Sequence, residues 1–191
     1  MAPDTPAPQR DPFLEAVGRV TVAGALLDKH LHNLLGSIAL EPTLLVYANA
    51  DGTARLIELC ELALTVGYVA PEDVPPIKEC LVRARELKNR RNKIVHSIFV
   101  RTEDGPALSA MMPLRKQLGA SVTAITIPEM EEIAMQIERL CSDIFVAGWN
   151  ATSTRSGMTR LPQPAARSSE GTTDDQSGDP PLVPHQATFA L

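Results

Sequence analysis

Residues 73–98 read Asp73-Val74-Pro75-Pro76-Ile77-Lys78-Glu79-Cys80-Leu81-Val82-Arg83-Ala84-Arg85-Glu86-Leu87-Lys88-Asn89-Arg90-Arg91-Asn92-Lys93-Ile94-Val95-His96-Ser97-Ile98. Asp73 and the proline pair mark a helix start, because proline has no amide proton to lose in the first turn and its fixed φ suits that position. Ile77, Cys80, Ala84 and Leu87 then recur at helical spacing and continue, after Arg91, to Ile94 and Ile98. The seam breaks its own rule at Arg91. An unpaired guanidinium buried there costs several kcal/mol, so Arg91 needs a partner or an opening.

The neighbouring segments give this helix something to pack against. Asp11-Pro12 supplies an N-cap and a first-position proline, and Phe13, Val17, Val20, Gly24, Leu27, Leu31, Leu34 and Ile38 follow at spacings of three and four. This predicts a long amphipathic helix. Asp51-Gly52-Thr53 opens a shorter one carrying Leu56, Leu59, Cys60, Ala63 and Val66, with Gly67 as its stop, and the reading of Pro42 to Ala50 stays open. After His96, the β-favouring Ser97 to Arg101 reaches a turn at Glu103-Asp104-Gly105-Pro106, and Ala107 to Met112 pairs back as a hairpin, with Ser121 to Thr126 a possible further strand. Thr126 and Glu129 read as a capping box ahead of Met130, Ile133, Ile137, Leu140 and Ile144, a helix expected to end near Gly148-Trp149. The fold expected is mainly α, a four-helix bundle with a small β-hairpin insert between its third and fourth helices.

The ends differ from the middle. Residues 1–10 are proline-rich, and residues 150–191 hold few large apolar side chains among Ser, Thr, Gly, Asp and Gln, so both are expected to be disordered tails around a folded domain over residues 11–149. No run approaches the roughly 18 apolar residues of a membrane span, and the first residues lack a signal-peptide core, which makes a cytoplasmic location the expectation. Cys60, Cys80 and Cys141 are odd in number and each lies in an apolar helical stretch, which argues against a disulfide framework or zinc site and for reduced core thiols.

Across 191 residues the net charge is −5, which by itself speaks against nucleic acid. Its distribution says otherwise. Residues 78–93 carry Lys78, Arg83, Arg85, Lys88, Arg90, Arg91 and Lys93 against Glu79 and Glu86, a local balance of +5 on about four helical turns, leaving −10 for the rest of the chain. Such a field attracts phosphate; the plainer alternative is a solvated basic face near the C-terminal end of a helix dipole. Asn92 and His96 are four apart and share a face. Arg91 and His96 are five apart, roughly 140° around an ideal helix, so they meet one ligand only across a cleft or where the helix ends. An imidazole can move a proton to or from a ribose hydroxyl or leaving oxygen, an arginine fork can hold a phosphate as charge grows on it, and an asparagine can orient either, so phosphodiester work on RNA needs no metal here.

The order long helix, short helix, then a helix ending in Leu87-Lys88-Asn89-Arg90-Arg91-Asn92-Lys93-Ile94-Val95-His96-Ser97 resembles the HEPN superfamily, whose signature is an arginine, four to six residues, then a histidine. Arg91 and His96 fit with four between them, and Asn92 fits the polar residue that many HEPN ribonucleases carry after the arginine. The resemblance implies a helical bundle that forms a homodimer with facing motifs and cleaves RNA without metal or other cofactor, leaving a cyclic phosphate, in toxin–antitoxin, phage-defence or RNA-processing settings. Arg91, Asn92 and His96 would then be catalytic, and Arg85, Lys88, Arg90 and Lys93 would draw in RNA. An antitoxin or regulatory protein is a further partner the resemblance allows. Ile98 stands where one toxin branch has a tyrosine, so control by modification of that tyrosine is not expected. Several HEPN branches are inactive, which leaves a second reading: a silent bundle serving as a protein-interaction or nucleotide-binding module.

Asp28, His30 and His32 do not form a metal site, because residues two apart on a helix point about 200° apart. His30 and His32 read as surface histidines, and Asp28 and His32 as sharing a face. No glycine-rich phosphate loop, Gly-x-Ser-x-Gly or His-Glu-x-x-His motif occurs. Met111, Met112 and Trp149 read as packing residues.

Overall fold

The computed structural model describes residues 10–100, 107–111 and 121–163. The chain is mainly helical: α1 Pro12–Ala39, α2 Pro42–Tyr47 followed by a 3-10 turn at Ala48–Ala50, α3 Thr53–Thr65, α4 Val74–Val95 and α5 Ile127–Ser156, with short strands β1 Ile98–Val100, β2 Ala107–Met111 and β3 Ser121–Ile125 between α4 and α5. α1 and α5 begin where their caps say they should. The Asp11 carboxylate accepts hydrogen bonds from the amides of Phe13 (3.0 Å) and Leu14 (3.4 Å). Thr126 accepts from the Glu129 amide at 3.3 Å while the Glu129 carboxylate accepts from the Thr126 amide and hydroxyl, both at 2.8 Å, which holds the Glu129 carboxyl below the usual range.

α1 is the central element and packs against α3, α4 and α5. Phe13, Val20, Gly24, Leu27, Leu31, Leu34 and Ile38 of its seam are buried. They meet Leu56, Ile57 and Cys60 of α3, Ile77, Leu81, Ala84 and Leu87 of α4, and Met130, Ile137, Leu140 and Ile144 of α5 in one continuous core. A fully buried aliphatic side chain contributes about 1.5–3 kcal/mol, so this shared seam dominates stability. Val66 and Ile98, expected on the seams, are instead exposed at 57% and 65%. α3 ends at Thr65, with Gly67 in the left-handed region (φ 84°), and α4 ends at Val95, which puts both side chains beyond the periodic part of their helices.

The strands form one antiparallel sheet in the order β1-β2-β3, with Phe99 opposite Ser109 and Ser109 opposite Thr123. The Phe99 ring meets Phe13 edge to face, centroids 5.0 Å apart, and fastens the start of the sheet to the N-terminal turn of α1. The segment Pro42 to Ala50 is helical, capped by the Glu41 carboxylate on the Thr43 amide at 3.0 Å.

The fourth long helix corrects the expected boundary. α5 does not stop near Gly148-Trp149 but runs to Ser156, and the chain then folds back as far as residue 163. The polar residues that read as tail are used internally. Buried Asn150 donates to the Leu161 carbonyl (3.0 Å) and accepts from the Leu161 amide (2.8 Å), Trp149 donates to the Thr159 carbonyl (3.0 Å), and Arg160 pairs with the buried carboxylate of Asp73. Asp73 therefore sits at the start of α4 but makes no side-chain cap. Residues 1–9, the turn at 103–106, Met112 and the tail from 164 onward lie outside the described residues, as does the side chain of Met111. Among the described residues, no helix is long and apolar enough to cross a membrane.

Candidate functional site

The arginine that breaks the α4 seam has a specific seat. Arg91 lies half-buried across α1 at Gly24, where a Cβ would stand 2.4 Å from Arg91 Nε and 3.0 Å from both Cζ and Nη2. No side chain other than glycine leaves that space, so Gly24 brings the guanidinium against the α1 backbone. The sequence carried the signal, a glycine inside an otherwise large apolar seam. Arg91 Nη1 donates to Asn92 Oδ1 at 3.0 Å, which fixes the fork and the amide relative to one another. Arg91 Nε is buried with no hydrogen-bond partner among the described residues. An unmet buried donor costs about 1–3 kcal/mol, a penalty the rest of the fold carries.

α4 ends one residue before His96. His96 occupies the C-cap position at φ −103°, ψ 12°, its amide donating to the carbonyls of Asn92 and Ile94, and its side chain is exposed. The helix thus stops at the place where an imidazole five residues after Arg91 leaves the helical array. Ser97 holds the turn through its hydroxyl on the Lys93 carbonyl, and Phe99 anchors the following strand on Phe13. The structure joins Arg91 to Asn92 directly and gives the His96 imidazole no hydrogen-bond partner among the described residues.

The basic helix is less open than its charge count suggests. Arg83 pairs with Asp143 at 2.6 Å, Arg85 Nη2 reaches both oxygens of Glu61 at 2.8 and 3.0 Å, and Arg90 donates to Gln136 Oε1 at 2.5 Å. Lys88 and Lys93 have no ion pair among the described residues and carry the remaining field beside Arg91. Asp28 and His32 do not act together: Asp28 accepts from the Thr53 hydroxyl, while His32 Nε2 lies 3.1 Å from the Leu45 carbonyl. Neither His30 nor His32 is a fully exposed surface histidine; both are half-buried, and burial pulls the His30 imidazole below its ordinary value.

The three cysteines are free and buried. Burial pushes the Cys60 and Cys80 thiols up to about 12 and Cys141 to about 11, far from the thiolate needed for nucleophilic or redox work. Comparison with protein families, with curated proteins and with solved structures finds no match for this chain.

Proposed function

We propose that this chain is a metal-independent endoribonuclease of the HEPN type, a four-helix bundle of α1, α3, α4 and α5 with a strand insert, which works as a homodimer with its Arg-x4-His motifs facing. The observation that carries the reading is the seating of Arg91 on Gly24, bonded to Asn92, on a helix that ends at His96. An arginine on a core seam, with a glycine opposite to admit it and a donor left unmet, fits a side chain held for a ligand better than one held for packing. In the reaction, an imidazole takes the proton of a ribose 2′-hydroxyl and the 2′-oxygen attacks the adjacent phosphorus. The bond from phosphorus to the 5′-oxygen breaks, and the second imidazole of the dimer protonates the leaving oxygen. The products are a 2′,3′-cyclic phosphate and a 5′-hydroxyl. Arg91 meets the charge growing on the phosphoryl oxygens, Asn92 orients Arg91, and Lys88 and Lys93, with Arg85 and Arg90 at the margin, draw RNA in.

Incubation of the full chain with total RNA in EDTA, beside Arg91→Ala and His96→Ala, tests this: cleavage by the parent alone is expected, and equal cleavage by all three overturns the assignment. One observation favours the second reading, a catalytically silent bundle acting as an interaction or nucleotide-binding module. Arg83, Arg85 and Arg90 are already engaged by Asp143, Glu61 and Gln136, which lowers the free field that RNA would meet. No RNA cleavage by a folded dimer selects that reading.

A further inference from the structure

Farther along α1, roughly one and a half to three and a half turns past Gly24, a concavity of about 400 Å3 opens between α1, the end of α2 and the last turns of α5. Lys29, His32, Asn33, Ser37, Thr152 and Arg155 line it, and among the described residues no carboxylate does. Arg10, Arg19, Arg55, Arg83, Arg85 and Arg160 each face a carboxylate within 4 Å. Arg155 instead donates to the Ser37 carbonyl at 2.8 Å, and His32 lies 3.1 Å from the Leu45 carbonyl. Neutral carbonyls fix the direction of these side chains without cancelling charge. Lys29 has neither an ion pair nor a hydrogen bond among the described residues. The α5 macrodipole accounts for a cation in its last turn, such as Arg155, but not for Lys29, which lies more than two turns before the end of α1.

We propose that this concavity binds the phosphate group of a small phosphorylated ligand of mononucleotide size. Lys29 and Arg155 supply the charge and the Asn33 amide donates to the phosphoryl oxygens, while the Ser37 and Thr152 hydroxyls, which donate to the Asn33 and Gly148 carbonyls, line the wall as neutral groups. The volume lies in the range of small-ligand sites, and the concave wall made by three helices suits a compact anion better than an extended strand. The site goes beyond the ribonuclease reading and stands whether or not that reading does.

Calorimetric titration of the full chain at low ionic strength with inorganic phosphate, with adenosine 5′-monophosphate and with a hexauridylate tests it. Saturable one-to-one binding of phosphate and of the monophosphate is expected, weakened about tenfold or more in Lys29→Gln and in Arg155→Gln. Because Lys29 makes no ion pair or hydrogen bond among the described residues, Lys29→Gln keeps the structure and reads the charge alone. Absence of saturable binding by the parent chain, unchanged affinity in Lys29→Gln, or binding of the hexauridylate alone would each overturn the proposal.

Discussion

Gly24→Ala separates the seating of Arg91 from the stability of the fold. The added methyl would stand 2.4 Å from Arg91 Nε, inside any real contact distance, so the guanidinium must leave the α1 surface. Alanine in a helix interior gains about 0.8–1 kcal/mol over glycine. Moving Arg91 outward also relieves the unmet Nε donor, worth about 1–3 kcal/mol, and forfeits the bond to Asn92, a charge-assisted contact of about 1.5–3 kcal/mol. These terms nearly cancel, and the variant is expected to unfold within about 1 kcal/mol of the parent. The loss falls on the chemistry: if Arg91 stabilises the charge on the phosphoryl group, displacing it lowers cleavage by about 10²–10³-fold, the scale seen when one such donor is removed. Gly18→Ala is the control, since nothing lies within 4 Å of its Cβ; it should gain stability and leave cleavage unchanged. Urea melts and RNA cleavage rates on the same preparations decide the matter. Parent-level cleavage by Gly24→Ala beside an inactive Arg91→Ala, or a loss of several kcal/mol in stability, would refute the argument.

Three other outcomes follow from the packing. The cysteine thiols, whose folded values of about 12, 12 and 11 lie above the ordinary 9.0, contribute stability that is fully present below about pH 9 and lost as pH rises toward those values; urea melts across that range should steepen toward about 1.4 kcal/mol per pH unit per thiol, and a thiol reagent at pH 8 should find none of the three until the chain unfolds. Thr126→Ala removes the hydroxyl that caps α5 and should cost about 0.5–2 kcal/mol by chemical denaturation, with Thr126→Ser restoring most of it. Arg160→Ala leaves the buried Asp73 carboxylate without its cation, and limited proteolysis should then cut within residues 157–163 while the parent resists; equal resistance would show that the bonds from Trp149, Asn150 and Ser153 hold this segment without Arg160.

How much of this could be read in the sequence depended on whether the deciding partner lay nearby. The starts of α1 and α5 were legible because Asp11 and the Thr126–Glu129 pair act within their own first turns, and the α1 seam repeats at helical spacing for its whole length. The end of α5 was not, because Asn150, Thr154 and Arg155 look like solvated tail until Leu161, Asp73 and Ser37 are beside them. At the candidate site, the anomaly at Arg91 was visible, as was a helix end near His96. The role of Gly24 was hidden because the close approach of α1 to α4 joins residues distant in the chain. The charge count of the basic helix overstated its free field for the same reason: Glu61 and Asp143 arrive from α3 and α5.

The central claim is that the Arg91–His96 end of α4 cuts RNA by internal attack of the 2′-oxygen. Its most direct test is cleavage, in EDTA, of an end-labelled RNA and of the same strand fully 2′-O-methylated, with the 5′ fragment examined for its terminal phosphate. The expected result is cutting of the RNA to a 2′,3′-cyclic phosphate, no cutting of the methylated strand, and neither by His96→Ala. Cleavage of the methylated strand, or parent-level cleavage by His96→Ala, would contradict it.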